Sequence, residues 1–166
     1  LSLLERAFEQ ADHLLVLLGS ANVAPSFKNP FTFKQRKDMF TSALSGTISM
    51  ITHFSPLDDM PADFDWETQL IAKVDRAKRA LSITDNKDVA IVGHDKDESS
   101  YYLHKFPQFC LEQVESFGNY NATDARVAMV KGEDVSKYTH PKIVNWLRDE
   151  YINKDEDFGF EWVKEQ

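Results

Sequence analysis

Short apolar segments with strand-like composition alternate along this chain with longer segments of helical periodicity. Strands are predicted at four places: His13–Leu18, Ile48–Phe54, Val89–Val92 and around Phe109–Glu115. This alternation is typical of α/β domains, in which helices connect neighbouring parallel strands. The sequence therefore predicts an α/β fold with a mainly parallel sheet and helices on both faces.

The helical segments carry start and stop signals. Helices are predicted over Phe33–Leu44, near Trp66–Leu81, from Thr123 to Gly132 and from Pro141 to about Ile152. Thr32 and Gln35 have the spacing of a capping box at the start of the first of these helices. Asp65 is the expected cap of the second helix and Thr123 that of the third.

Charge and cysteine content exclude several classes of protein. A formal net charge of −8 over 166 residues argues against a general binder of nucleic acid or anionic membranes, which needs excess Lys and Arg. An anionic substrate would have to be met by a local basic cluster. The one cysteine, Cys110, cannot form an internal disulfide, and no Cys/His spacing resembles a zinc site. A cytoplasmic protein is the expectation.

Both ends of the sequence suggest how the domain is organised. Apolar residues repeat at helical spacing from Leu1, yet neither an N-cap nor an initiating Met precedes them. We expect the chain to begin inside a helix and to lack an upstream element. One domain, incomplete at its N-terminus, is predicted over residues 1–153, followed by an acidic helical tail over 154–166.

Three loops that follow predicted strands carry unusual side chains, and ligands of open α/β sheets bind outside the carboxyl ends of strands. The first loop opens with Gly19 and Ser20 and leads into a basic segment that ends at Lys37. Arg36 lies there between Phe33 and Phe40, on the apolar side of its helix. This position favours an anionic ligand, although a snorkelling arginine paired with an acid at the core edge fits the local pattern too.

The second loop leaves the strand at Gly93 and His94 and continues to Lys96 and Asp97. A helix starting at Asp97 or Ser99 would offer free N–H groups to a phosphate or carboxylate, and Lys96 would add positive charge. The alternative is an ordinary capped helix in which His94 is a hydrogen-bonded loop histidine.

The third loop leads into "TDAR", in which Arg126 would be the third helical residue if Thr123 is the cap. A cation there opposes the helix dipole, so Arg126 either reaches an anion or is a tolerated surface residue. Trp66, near the start of its helix, fits stacking on an aromatic ligand as well as core packing. Asp58 and Asp59 are expected to be solvated acids rather than metal ligands.

Taken together, the loops resemble a known family. "KNPFTFKQR" at Lys28–Arg36 and "GHDKDESSYYLHKFPQ" at Gly93–Gln108 are similar to the nicotinamide mononucleotide adenylyltransferase domain of bifunctional bacterial and phage enzymes that also carry a Nudix hydrolase domain. "TDAR" at Thr123–Arg126 resembles the end of the S-x-T-x-x-R motif of the nucleotidyltransferase superfamily. The resemblance implies a Rossmann-like fold and transfer of the adenylyl group from ATP to nicotinamide mononucleotide, with Mg²⁺, giving NAD and pyrophosphate.

The resemblance also implies roles for individual residues. Arg126 and Arg36 would act on the reacting phosphates, and Trp66 would stack on nicotinamide. The substrate-binding residues would be Gly19, Ser20, Asn29, Trp66, Gly93, His94, Lys96, Asp97 and Thr123. A bound metal ligated by the protein and contacts to nucleic acid or membrane are not expected, whereas a homo-oligomer is compatible with the sequence.

Two departures from the family pattern bear on activity. The H-x-G-H motif that follows the first strand and holds ATP phosphates would lie before Leu1, so we expect this chain alone to be a poor catalyst. "NAT" at Asn121–Thr123 stands where the family commonly has Ser, a small residue and Thr or Ser. A nucleotidyltransferase with another acceptor, such as nicotinate mononucleotide, and a non-catalytic nucleotide-binding module are therefore the alternatives.

Overall fold

A computed structural model describes residues 2–93, 104–114 and 121–152 of the chain. The regular elements in chain order are α1 (Ser2–Phe8), β1 (Leu14–Leu18), α2 (Phe33–Ala43), α3 (Gly46–Ile51), β2 (Thr52–Pro56), α4 (Asp63–Ala80), β3 (Ala90–Gly93), β4 (Cys110–Gln113), α5 (Ala122–Val130) and α6 (Pro141–Leu147). A 3₁₀ turn at Asn86–Asp88 precedes β3, and a π-helical turn at Arg148–Ile152 extends α6.

Both strand pairs in the described part of the chain are parallel. In the first pair, β1 and β2 run in register from Leu14 opposite Thr52 to Leu18 opposite Pro56. In the second, β3 and β4 pair from Ala90 opposite Cys110 to Gly93 opposite Gln113. Because α2 and α3 lie between β1 and β2 in sequence, the first pair is a βαβ unit. The predicted α/β fold with parallel strands is confirmed.

The strand predicted over Ile48–Phe54 is wrong in its first half. Residues Gly46–Ile51 form α3, and β2 begins only at Thr52. The Ser49 N–H donates to the Ser45 carbonyl at 2.8 Å, and the Thr52 hydroxyl donates to the Ile48 carbonyl at 2.6 Å. These local bonds close helical turns in a segment whose β-branched composition is typical of a strand, because tertiary context overrides a weak propensity.

The helix caps agree with the sequence in one case and differ in two. The capping box of α2 is present: the Gln35 N–H donates to Thr32 Oγ1 at 3.3 Å, and the Thr32 N–H donates to Gln35 Oε1 at 2.8 Å. In α4 the cap is Ala62 rather than Asp65, which lies inside the first turn and there complements the helix dipole. The α5 cap is also displaced, with consequences for the site described below.

The main hydrophobic cluster joins α4 to both strand pairs. Its buried centre consists of Leu57, Leu70, Phe106 and Phe109, of which Phe106 is only 3% exposed. Partly buried side chains packed against it are Leu17, Trp66, Ile71, Val74, Val89 and Ile91. The cluster thus fixes the strands whose carboxyl ends carry the loops singled out above. None of the helices in the described ranges is long and apolar enough to span a membrane.

Candidate active site

A cavity of about 380 Å³ lies among α2, α5, α6 and the segment before α2. Its apolar lining includes Phe31, Met39, Phe40, Met129, Ile143 and Leu147. The two arginines singled out from the sequence, Arg36 from α2 and Arg126 from α5, also line this cavity. Side chains that are far apart in the chain are therefore brought to one site.

Arg36 is the fourth residue of α2, and its side chain lines the cavity together with that of Phe40, one turn later. Its Nε atom is buried and has no hydrogen-bond partner among the described residues. Burial lowers the pKa of the guanidinium, and the negative charge of Asp59 partly opposes that shift. A cation held in an apolar wall without a hydrogen-bonded partner for this nitrogen is suited to receiving an anionic ligand.

Arg126 is held by two contacts. One of its terminal nitrogens donates to Thr123 Oγ1 at 2.9 Å, and its guanidinium carbon lies 5.7 Å from the centroid of the Phe27 ring. Within the described part of the chain, its buried Nε atom also lacks a hydrogen-bond partner. Thr123 and Phe27 therefore orient the guanidinium while leaving donor capacity for a ligand.

The prediction that Thr123 caps α5 is wrong. Asn121 is the N-cap, and its side chain accepts the Thr123 N–H at 2.8 Å. Since Ala122 is the first helical residue, Arg126 is the fifth and lies beyond the first turn. The helix dipole acts most strongly within that first turn. The orientation of the Arg126 side chain is therefore set by its hydrogen bond to Thr123, one turn earlier in the helix, and repulsion by the helix dipole is not needed to explain it.

Asn29 also lines the cavity, at the end of a tight turn. The Ser26 N–H donates to the Asn29 carbonyl at 3.1 Å, and the Asn29 N–H donates to Ser26 Oγ at 3.3 Å. This pair of bonds holds Asn29 at the cavity wall close in sequence to the start of α2.

The remaining described candidates lie outside the cavity lining. Gly19 and Ser20 follow β1, and Ser20 has a left-handed backbone with φ of 51°. Trp66 packs its ring against Phe106, with centroids 6.1 Å apart and planes tilted by 47°. Gly93 is buried at the end of β3, where its carbonyl accepts the Val114 N–H at 3.0 Å. His94, Lys96 and Asp97 fall outside the described residues.

Several residues of the site had no signal that identified them from the sequence. The apolar lining from α6 and the Phe27 ring meet the arginines only through tertiary packing, so no local pattern marks them. Asn121 could have been found, because Asn is among the strongest N-cap residues and precedes Thr123 by two positions.

The described residues contain no group of three or more His, Cys, Asp or Glu side chains that could hold a metal ion. Mg²⁺ in nucleotide-binding sites is commonly held by one or two carboxylates together with substrate phosphates.

Comparison with known proteins gives an enzyme class. No protein-family model matches the chain. A nicotinamide/nicotinic acid mononucleotide adenylyltransferase from Acinetobacter baylyi is 31% identical over 149 residues, which are 89% of this chain and 77% of that protein. A nicotinamide-nucleotide adenylyltransferase from Thermococcus kodakarensis is 27% identical over 88% of this chain and 73% of its own length.

A solved structure agrees with these relatives. A bifunctional NMN adenylyltransferase/ADP ribose pyrophosphatase from Francisella tularensis, crystallised with AMP and a Mn ion, superposes with a TM-score of 0.81 at 27% identity. The match covers 99% of this chain and 47% of that one, so the chain spans about half the length of the bifunctional protein.

The parallel α/β fold and these likenesses define the class of the protein, an enzyme of the nucleotidyltransferase type with a Rossmann-like fold. Within that class, the chain belongs to the family of nicotinamide mononucleotide adenylyltransferases. The resemblance to nicotinamide mononucleotide adenylyltransferases and the predicted Rossmann-like fold are thereby confirmed.

Proposed function

We propose that this chain transfers the adenylyl group of ATP to nicotinamide mononucleotide, forming NAD and pyrophosphate. Relatives that carry this activity in their names support the proposal. The observation that carries it is the pairing of Arg36 and Arg126 in one cavity, each with a buried Nε atom that finds no hydrogen-bond partner among the described residues. Two such guanidinium groups match the charge of nucleotide phosphates.

The reaction needs positioning and charge neutralisation more than covalent help. An oxygen of the mononucleotide phosphate forms a bond to the α-phosphorus of ATP, the bond from that phosphorus to the bridging oxygen breaks, and its electron pair leaves with pyrophosphate. Arg36 and Arg126 would bind the phosphate oxygens and stabilise the charge that accumulates on them. The apolar lining of the cavity would strengthen these interactions because it lowers the local dielectric constant.

A divalent metal is part of the proposal. The Francisella tularensis structure contains a Mn ion together with AMP. We infer that Mg²⁺ enters bound to ATP, where it would supply further neutralisation of the phosphate charge. The described residues orient the phosphates, and Thr123 fixes Arg126 for that purpose through its 2.9 Å hydrogen bond.

The loops after β1 and β3 complete the proposed substrate site. Gly19, Ser20 and Asn29 would approach the nucleotides from the first loop, and Gly93 would begin the second. His94, Lys96 and Asp97, which continue the second loop, are proposed as nucleotide contacts on the family resemblance alone.

Trp66 is proposed as the stacking partner of the nicotinamide ring. Its contact with Phe106 means that replacing it by Ala would also remove core packing. Trp66→Phe is the better test because it keeps an aromatic ring against Phe106 and reduces the aromatic surface offered to a ligand. We expect weaker mononucleotide binding in calorimetry with an unchanged melting temperature; unchanged affinity would leave Trp66 a residue of the core.

A second acceptor is supported by one observation. The Acinetobacter baylyi relative is named for both nicotinamide and nicotinic acid mononucleotide. Product analysis with each mononucleotide under identical conditions would decide between single and dual specificity.

The primary test is pyrophosphate release from ATP, Mg²⁺ and nicotinamide mononucleotide, followed in two proteins. One is this chain, and the other is this chain extended upstream of Leu1 by a family first strand with its H-x-G-H motif. Release that is strong only in the extended protein would support both the reaction and the expected position of that motif. Nucleotide binding without release in either protein would favour the non-catalytic module.

Location, domain limits and assembly complete the proposal. We infer a cytoplasmic enzyme, a nucleotidyltransferase domain over residues 1–153 and an acidic tail over 154–166, which lies outside the described residues. Fractionation would test the location, and sedimentation would decide between a monomer and a homo-oligomer.

A further inference from the structure

The loops that follow the first two parallel strands are tied together by side-chain hydrogen bonds. Ser20 Oγ donates to Asp59 Oδ1 at 3.1 Å, which joins positions 39 residues apart in the chain. The amide of Asn22 pairs with the Asp59 backbone in both directions: Nδ2 donates to the Asp59 carbonyl at 3.1 Å, and the Asp59 N–H donates to Oδ1 at 2.9 Å. Asp59 is thus the point through which the two loops hold each other.

These hydrogen bonds hold a backbone conformation at Ser20 that is unfavourable by itself. Its φ of 51° lies in the left-handed region, which is unfavourable for a residue with a Cβ. The following N–H, of Ala21, donates to the Leu57 carbonyl at 3.1 Å. The turn at Ser20 is therefore kept in an unfavourable conformation by bonds to the loop that contains Asp59, as is common where backbone geometry serves a site.

Asp59 also acts on the cavity. Its negative charge favours the protonated guanidinium of Arg36, against the desolvation of that buried side chain. One carboxylate therefore accepts a hydrogen bond from the turn after β1, and its charge also favours the protonated form of the arginine of α2.

We propose that Asp59 is a positioning residue of the nucleotide site, holding the turn at Gly19 and Ser20 in its binding conformation through the hydrogen bond from Ser20. The proposal rests on the proposed adenylyl-transfer function. Asp59 contacts no reacting atom in this scheme, and its effect passes through Ser20.

The neighbouring acid provides a matched control. Asp58 is held through its backbone, since its N–H donates to Gln69 Oε1 at 2.8 Å and its carbonyl accepts from Gln69 Nε2 at 3.3 Å. Asp58→Asn removes the same charge one residue away and leaves the Ser20 bond intact. Asp59→Asn removes the charge but keeps an oxygen that can accept from Ser20, whereas Asp59→Ala removes both.

The experiment is calorimetric titration of ATP with Mg²⁺, and separately of nicotinamide mononucleotide, into each folded protein well below its melting temperature. We expect Asp59→Ala to lower the affinity for at least one of the two nucleotides about 3- to 10-fold, which is the usual contribution of one hydrogen bond. Asp59→Asn should restore the affinity of the original chain, and Asp58→Asn should not change it. A merely structural role would lower the melting temperature of Asp59→Ala without changing either affinity, and that result would overturn the proposal.

A double-mutant cycle with Ser20→Ala tests the route. If Asp59 acts through Ser20, Asp59→Ala should have little further effect on affinity in the Ser20→Ala protein. Additive losses would show that Asp59 acts elsewhere and would contradict the proposal. Failure of the proposed function is measured separately, as a lack of pyrophosphate release by the protein in which Asp59 is unchanged, and it does not depend on the affinities of the Asp59 variants.

Discussion

Two regions of the molecule hold partly buried cations in opposite ways. At the first turns of α4, Lys105 Nζ lies 2.6 Å from Asp63 Oδ2 and 2.8 Å from Glu67 Oε1. In the cavity, Arg36 and Arg126 each keep a buried Nε atom for which the described residues supply no hydrogen-bond partner. The first region satisfies its cation with acids from the protein, and the second leaves cationic donors for something else.

The pKa directions follow the same division. The hydrogen bonds that Lys105 donates to Asp63 and Glu67 raise its pKa, whereas burial lowers the pKa of Arg36. A cation whose folded environment favours its charge contributes to stability, and one whose environment opposes its charge is retained at a cost. We therefore infer that Lys105 stabilises the fold, whereas the two arginines are available to a ligand, and most of the predictions below test this contrast.

The largest effect is expected for Arg126→Ala. Removing one preorganised charge donor should raise the barrier for adenylyl transfer by about 2–4 kcal/mol. Turnover should be measured by pyrophosphate release, in whichever form of the chain is active, together with the melting temperature. The matched control is Lys131→Ala, at the exposed C-cap of the same helix. An unchanged turnover in Arg126→Ala would remove Arg126 from the catalytic residues.

Arg36→Met should separate function from stability most clearly. Methionine fills similar space without a charge, so the desolvation cost of the partly buried guanidinium disappears, and stability should stay the same or rise slightly. Affinity for ATP should fall about 10-fold or more, since a hydrogen bond to a charged group is lost. Chemical denaturation and calorimetry measure the two quantities. Lys37→Met, on an exposed position of the same helix, should change neither. A large loss of stability in Arg36→Met would mean that Arg36 belongs with Lys105 among the structural cations.

These contrasts explain which parts of the molecule could be predicted from its sequence. The capping box at Thr32 and the placement of Arg36 among apolar residues depend on neighbours within one or two helical turns, and both were predicted correctly. The parallel strands followed from the alternation of elements. Local periodicity sufficed wherever the deciding contacts were local.

The errors and omissions arose where the deciding contacts are elsewhere. Ile48 and its neighbours have strand-like composition, yet α3 covers them. The α5 cap lies two residues before the predicted one. Thr and Asn are both favourable N-cap residues, so local sequence alone does not decide between Thr123 and Asn121. The bond between Ser20 and Asp59 spans 39 residues, and nothing in the local pattern of either loop predicts it.

Lys105→Met tests the structural side of the comparison. The variant keeps the apolar stem but leaves Asp63 and Glu67 without their shared cation, so the melting temperature should fall. Because the pKa of Lys105 is raised on folding, its contribution is fully present below the unfolded pKa and is lost only as pH rises through the folded value. The difference in melting temperature from the original chain should therefore be constant between about pH 6 and pH 9.

Lys87→Met, at an exposed position, is the control for Lys105→Met. A loss of nucleotide affinity without a loss of stability would break the division between the two regions.

The smallest effect concerns a charge at the edge of the cavity that is paired within its own loop. The hydroxyl and backbone N–H of Ser136 donate to Asp134 at 2.7 Å and 2.8 Å, and these bonds lower the pKa of the carboxyl group. A depressed pKa contributes stability above the unfolded value, and the contribution is lost as pH falls through the folded value. Asp134→Asn should therefore be slightly less stable than the original chain at neutral pH, and the gap should close below about pH 4. Because Val135 lines the cavity while Asp134 does not, nucleotide affinity at neutral pH should stay unchanged. A gap that persists undiminished in acid would mean that the side chain shape of Asp134, and not its charge, supports the loop.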